Sequence, residues 1–209
     1  LTRTIAVGGN GKIYVSVGSS CNACVEKEKV RATVLEMNPD GSEQKNYATG
    51  LRNAVGLKWI GKFLFATNQG VDHLGKNKPD ETFYALKRDA DYGWASCYSS
   101  NGKIFADPKF KRPSGCKNVL PPYAYYFDQT STDDMIKNSF LVALHGSTDA
   151  SIGHGYKIVI MRKGQKLQTF MDGFLVGKTV YGRPCDIYRI DDQSFYFSDD
   201  KGGVIYYVR

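Results

Sequence analysis

Apolar and aromatic residues fall in short runs along the chain, and few stretches carry the long 3.6-residue period of a helix. Four runs look alike: Ile13–Gly18, Phe63–Asn68, Phe140–His145 and Phe195–Asp200. Their first residues are spaced by 50, 77 and 55 positions. Three of them follow a second strand pattern, at Thr4–Val7, Val55–Trp59 and Asp186–Ile190. The turn signals Gly9-Asn10-Gly11, Gly61-Lys62 and Asp191-Asp192 separate each pair. A third strand follows each run, at Ala32–Met37, Thr82–Leu86, Tyr156–Met161 and Val204–Val208. A fourth is predicted at Gln44–Thr49 and Lys166–Met171.

Strands of β-branched and aromatic residues, repeated with short turns, are the pattern of β-propeller blades. The reading is therefore all-β, with about four blades in this chain. A two-sheet sandwich is the alternative, but it leaves the repeated three-strand unit unexplained. Ser99 to Pro122 breaks the period with Gly102, Pro108, Pro113, Gly115 and Cys116, and reads as a long loop stapled by a disulfide. That insertion accounts for the interval of 77. The last blade ends after its third strand, so its outer strand is expected from upstream of Leu1. Residues 1–209 are accordingly read as the C-terminal part of a single propeller domain whose N-terminal blades are absent. The opening Leu1-Thr2-Arg3 has no Met, basic region or apolar leader, which agrees with that expectation.

Composition narrows the classes further. With 42% hydrophobic and 23% charged residues, the chain can build a core, and wholesale disorder is excluded. No run approaches the ~18 apolar residues of a membrane span. Aromatics at 13% and 22 glycines lean towards β structure. The net charge is +7, but Lys and Arg are scattered, so a solvated basic surface is the plain reading. Nucleic-acid binding would need a basic stripe interleaved with aromatics, which is missing.

The cysteines are 21, 24, 97, 116 and 185. Cys21-x-x-Cys24 alone is half a zinc site or a redox pair, but His73, His145 and His154 do not complete a zinc spacing. Two disulfides are favoured, Cys21–Cys24 and Cys97–Cys116, with Cys185 a buried thiol, in an oxidising compartment. A reduced cytosolic protein is the alternative.

Three constellations carry candidate chemistry. Gly50-Leu51-Arg52-Asn53 stands at a blade entrance, where an Arg-Asn pair can hold an anion and a carbonyl. Asn68-Gln69-Gly70-Val71-Asp72 follows a core strand, ahead of Pro79-Asp80-Glu81 and Asp91-Tyr92-Gly93-Trp94. Gly70 can let a ligand approach the backbone, and Asp72, Asp80 and Glu81 could hold Ca²⁺. Gly182-Arg183-Pro184-Cys185-Asp186 opens the last blade, so Arg52 and Arg183 are expected to face one channel.

At these residues the sequence resembles the glucose/sorbosone dehydrogenases, most closely the L-sorbosone dehydrogenase-like branch. Further matching segments are Thr2–Ile5, Tyr14–Asn22, Ala143–Ser147 and Ser198–Asp200. The resemblance covers nearly the whole chain and implies a six-bladed propeller, with about two blades upstream. It implies pyrroloquinoline quinone (PQQ) and Ca²⁺ as cofactors. Arg52 and Asn53 match the pair contacting the quinone, with Arg52 in the catalytic role of polarising its carbonyl. Gln69 matches a cofactor-lining residue. Gly70 and Val71 match the carbonyls that hold the catalytic Ca²⁺, although the family often has Pro where Val71 stands. Arg183 matches a ligand of the quinone carboxylates. His145 stands where the glucose-oxidising branch has a lysine reaching the cofactor. Glu81 and the Tyr92 carbonyl match a second, structural Ca²⁺ site. The family's general-base histidine would lie just before Leu1.

The implied activity is PQQ- and calcium-dependent oxidation of an aldose or related alcohol or aldehyde by hydride transfer. An external electron acceptor and the N-terminal remainder of the propeller complete the system. This 209-residue piece alone is expected to be inactive. The expected compartment is periplasmic or secreted. Specificity is expected from the loops Ser99–Tyr126 and Ser147–Gly155. The alternative is a non-catalytic propeller binding glycan or protein.

Overall fold

A computed structural model describes residues 3–71, 73–75, 78–126, 130–136, 139–146, 154–162 and 167–209. Of residues 3, 125, 126 and 130–136 only the backbone is described. The chain divides into two compact units, Leu1–Phe127 and Asp128–Arg209, and each is taken by itself.

The first unit opens with β1 (Arg3–Val7), β2 (Ile13–Val17), β3 (Thr33–Met37) and β4 (Lys45–Thr49). They form an antiparallel meander in chain order. The second meander holds β5 (Ala54–Ile60), β6 (Phe63–Asn68) and β7 (Glu81–Leu86). Its strands are apolar because neighbouring layers cover both faces: Leu64, Phe65, Ala66 and Thr67 of β6 are all buried. Next come β8 (Ala90–Asp91), β9 (Cys97–Ser100), β10 (Lys103–Ala106) and β11 (Ala124–Tyr126). β11 is the fourth strand of the second sheet, paired to β7.

Two features here depart from the sequence reading. Arg88–Asp91, expected as a plain turn, contains β8, which pairs in parallel with β4 and ties the two meanders together. The segment from Ser99, expected as a loop, carries the β9–β10 hairpin, registered Lys103↔Ser100 to Ala106↔Cys97. The staple is as expected, Cys97–Cys116.

Tyr14, Val34, Leu51, Leu57, Leu64, Tyr84 and Tyr92 form one buried cluster between the two meanders. Trp59 packs its ring 5.2 Å from Tyr14. Each large side chain so buried contributes roughly 1.5–3 kcal/mol.

The second unit has β12 (Thr130–Ile136), β13 (Ser139–Leu144), β14 (Lys157–Met161) and β15 (Gln168–Met171) in one antiparallel sheet. A two-stranded hairpin, β16 (Leu175–Val176) with β17 (Thr179–Val180), follows. A three-stranded sheet of β18 (Pro184–Arg189), β19 (Phe195–Asp199) and β20 (Val204–Val208) completes it. All of β13 is buried, as its run FLVAL predicts. Leu141, Ala143 and Ile158 pack with Ile187, Phe195 and Phe197. Among the described residues no helix is long and apolar enough to cross a membrane.

Candidate functional site

The Gly50–Asn53 segment follows β4, and its conformation requires glycine. Gly50 sits at φ +73°, and a Cβ there would collide with Asp91 Oδ1 and lie 2.5 Å from the Gly93 nitrogen. Trp94 N donates to Gly50 O (3.0 Å), and Tyr92 N donates to Thr49 O (2.9 Å). The motifs Gly50–Asn53 and Asp91–Trp94 are thus one piece of structure. Asp91 closes it, accepting from Gly93 N at 2.8 Å and from the Arg112 guanidinium.

This frame aims Arg52. Its Nε donates to Asn22 O (3.0 Å), Nη2 to Asn22 Oδ1 (2.9 Å), and Nη1 to Gln69 O (3.4 Å). Asn53 Nδ2 donates to Gln69 Oε1 at 2.8 Å, while Gln69 N donates back to Asn53 O at 2.9 Å. Asn53 N is anchored on Asn68 Oδ1 (3.0 Å). Gly70 N donates to Glu81 Oε1 at 3.1 Å. The peptide unit joining Gln69 to Gly70 is therefore held at both ends, its carbonyl by a cation and its N–H by a carboxylate. Arg52, Asn53, Gln69, Gly70 and Glu81 form one bonded set, although Arg52 and Glu81 stand far apart in the chain.

Two open recesses meet at Arg52. One, of about 450 Å³, is lined by Ser19, Ser20, Cys21, Arg52 and Asn53. The other, of about 430 Å³, includes Arg52, Gly70, Val71, Asp80, Tyr92 and Trp94 in its wall. Among the described residues no donor takes the carbonyl of Gly70 or of Val71.

Several expectations change on inspection. Gly70 was expected to admit a ligand to the backbone, but a Cβ there would collide with the Pro79 ring, so chain packing already requires glycine. Asp80 was a candidate for Ca²⁺. It is buried (2% exposed) and accepts from Ser99 Oγ (2.7 Å), Asn101 N (3.0 Å) and Gly102 N (2.9 Å). Its oxygens anchor the β9–β10 hairpin. Asp72 lies outside the described residues. Glu81 turns to Gly70, and the Tyr92 ring, as distinct from the carbonyl expected at the second Ca²⁺ site, is in the core against Tyr84, centroids 4.5 Å apart. Burial pushes the Tyr92 phenol up to about 12, which removes it from proton transfer near neutrality.

In the second unit, Arg183 N donates to the buried Asp199 Oδ1 at 2.8 Å. Its guanidinium carbon lies 5.7 Å from the Tyr156 ring centroid. An open recess of about 670 Å³ is lined by Val180, Arg183, Asp200 and Lys201. His145 Nε2 lies 2.9 Å from Asp200 Oδ2, a pairing the sequence did not signal. Arg52 and Arg183 belong to different units, and each is described only within its own.

Both disulfides are as expected; Cys185 lies outside them and is half-buried rather than the buried thiol expected. Sequence reasoning gave Asn22 and Asn68 no role. Asn22 was visible only as a member of a matching segment.

No protein-family model matches the chain. An uncharacterized protein of Borreliella burgdorferi is 29% identical over 219 residues, covering 95% of this chain and 57% of that protein. The chain thus spans little more than half the length of that curated relative. Among solved structures, a Trichoderma reesei enzyme of Carbohydrate-Active Enzymes Family AA12 superposes with a TM-score of 0.85 at 16% identity, over 100% of this chain and 68% of that one. The PQQ-bound aldose sugar dehydrogenase of Streptomyces coelicolor gives 0.68 at 20% identity, over 98% and 59%. The soluble aldose sugar dehydrogenase of Escherichia coli gives 0.67 at 14%, over 94% and 60%. At these identities the likeness shows the fold, and the fold is the all-β propeller the strand repeat predicts.

Proposed function

We propose that this chain carries part of the cofactor centre of a quinone-dependent dehydrogenase that oxidises an aldose or a related alcohol. One observation carries the reading: the bonded set of Arg52, Asn53, Gln69 and Gly70 around the clamped Gln69–Gly70 peptide unit. Its donor set suits PQQ and Ca²⁺. Arg52 brings a permanent cation for quinone and carboxylate oxygens, and Asn53 and Gln69 bring amides. The carbonyls of Gly70 and Val71 are hard oxygen donors of the kind Ca²⁺ takes. PQQ, when bound with Ca²⁺, supplies a two-electron hydride acceptor.

The chain's own residues have separate tasks. Arg52 holds positive charge at the recess wall, and its Gln69 bond sets the direction of the turn that carries Gly70. Glu81 fixes the same turn from the N–H side. Arg183 is assigned to cofactor carboxylates by its motif, and His145 to the same ligand. Histidine at 145, where the glucose-oxidising branch has a lysine, favours the rival reading, a non-catalytic propeller that binds glycan or protein. The whole protein is proposed to add the general-base histidine and the remaining blades, to act in an oxidising compartment, and to pass electrons to an external acceptor.

The test is cofactor titration of the full-length protein, followed by tryptophan fluorescence, with dye reduction by a panel of aldoses. Wild type should bind PQQ in a Ca²⁺-dependent way. Arg52→Ala should weaken binding by about tenfold to a hundredfold, the worth of a charge-assisted hydrogen bond. Absence of Ca²⁺-dependent quinone binding in wild type rejects the enzyme and leaves the binding propeller.

A further inference from the structure

Arg52 is gripped by one residue at two points, and that residue sits inside a covalent ring. Asn22 lies between Cys21 and Cys24, whose disulfide closes a loop of four residues. Its backbone carbonyl and its side-chain oxygen accept from Nε and Nη2 of the same guanidinium (3.0 and 2.9 Å). Two acceptors on one residue define the guanidinium plane as well as its position. Asn22 itself is exposed and belongs to no strand. An exposed loop residue normally samples many conformations, and holding one costs entropy. The short disulfide ring removes much of that freedom in advance.

The ring is braced on its N-terminal side. Glu26 accepts from Ser20 N (2.6 Å), Ser20 Oγ (2.8 Å) and Ser19 Oγ. Ser19 N in turn donates to Arg52 O at 2.7 Å. Burial pulls the Glu26 carboxyl upward, but these hydrogen bonds outweigh it and hold the group ionised below its ordinary range. Cys21 also lines the same open recess as Arg52 and Asn53. The disulfide is therefore next to the space the arginine faces and within reach of a small reductant.

We infer that Asn22, held in the Cys21–Cys24 ring, is the positioning residue for Arg52, and that opening this ring releases Arg52 and weakens binding of an anionic ligand in the recess. That the ligand is PQQ rests on the function proposed above; the positioning does not. The opening step is a thiol–disulfide exchange with a dithiol. Two electrons and two protons pass to the Sγ–Sγ bond, which becomes two thiols, and the dithiol closes to its own disulfide.

The experiment uses the full-length protein in two readouts. The first is the rate at which phenylglyoxal, an arginine-directed dicarbonyl, modifies Arg52, read by peptide mass with Arg31 and Arg112 as internal references. The second is the dissociation constant for PQQ with Ca²⁺. The Cys21→Ser/Cys24→Ser double variant opens this ring and leaves Cys97–Cys116 intact. Asn22→Ala removes one acceptor without touching the disulfide, so it decides the matter if the cysteine variant fails to fold. Asn22→Asp keeps both acceptors. Arg52 modification is expected to accelerate at least roughly threefold to tenfold in the first two variants, the effect of losing a hydrogen bond, and not in Asn22→Asp. PQQ affinity should fall by a similar factor, and Asn22→Ala should add little in an Arg52→Lys background.

Unchanged Arg52 reactivity in Asn22→Ala overturns the positioning role whatever PQQ does. Faster Arg52 modification with PQQ affinity unchanged overturns the coupling to the ligand. Faster modification in a protein whose wild type binds no PQQ upholds the positioning and refutes the dehydrogenase reading instead.

Discussion

Replacing Glu36 by Gln should destabilise the first unit at neutral pH and lose most of that effect in acid. Glu36, on β3, is 2% exposed. Arg88 donates from Nη1 to Oε1 at 3.1 Å and from Nη2 to Oε2. Tyr14 OH donates to Oε2 at 2.8 Å, and Lys45 Nζ stands 3.5 Å from Oε1. The Arg88 hydrogen bonds, opposed by burial and aided by Tyr14 and the two cationic charges, lower the carboxyl from 4.5 to about 2. A folded pKa below the unfolded one stabilises the protein above about 4.5 and loses that contribution as pH falls through about 2. The gap of about 2.5 units sets a ceiling near 3.4 kcal/mol. The Arg88 and Lys45 side chains are 44% and 58% exposed, so water screens them, and about 1–2 kcal/mol is the working value. The Gln amide also turns an N–H₂ towards a guanidinium, adding a cost that does not depend on pH. Both tryptophans, 59 and 94, lie in the first unit, so urea unfolding followed by tryptophan fluorescence reports on it. Run at pH 7, 4 and 2.5, the deficit of the variant should shrink stepwise. A deficit of equal size at pH 7 and 2.5, or none at pH 7, would refute the ionic argument.

Three other outcomes are expected. Thiol titration of the denatured chain without reductant should find one free thiol, Cys185, and five after reduction; three or more at the outset contradicts the disulfide pairing. Gly50→Ala should cost at least about 1–2 kcal/mol from its left-handed backbone alone, plus the collision with Asp91 and Gly93, so a urea midpoint equal to wild type would disprove the tight junction. Asp80→Ala strips the acceptor from Ser99, Asn101 and Gly102, each lost bond costing about 1–3 kcal/mol, and hydrogen exchange at the Asn101 and Gly102 amides should accelerate by more than about tenfold.

Legibility in the sequence followed burial. β2, β6, β13 and β19 are each an inner strand of their sheet and read directly as apolar runs. β12, with the sequence TSTDDMI and a bulge between Ser131 and Asp133, offers no such run and escaped notice. β8, β16 and β17 are two residues each, too short for any period to register. The hairpin β9–β10 hid among Gly and Pro because its fold depends on Asp80, which lies outside it. In the candidate site, Arg52, Asn53 and Gly70 were singled out because two local motifs carry them, and Gln69 through the family resemblance. Asn22 and Asp200 were not, since each acquires its role only by meeting a residue distant in the chain, 30 and 55 positions away. Asp80 shows the converse error: an acid near a glycine turn suggests a cation, but here backbone N–H groups occupy it.

The two anchors of the β9–β10 excursion have a consequence for how such a protein diversifies. Asp80 holds the hairpin's turn, Cys97–Cys116 ties its base, and Pro79, which fills the space at Gly70, comes before either. The outer face of β10, with Lys103 and the 44%-exposed Phe105, bears on none of these points. The exposed face of β10 therefore forms a surface cassette, bounded by the buried Asp107, paired with His73, and by Arg112, which is bonded to Asp91 and belongs to the frame. It can be rewritten, lengthened or exchanged between homologues while the Gly70 turn stays in register, so new surface chemistry beside the recess comes without re-engineering its floor.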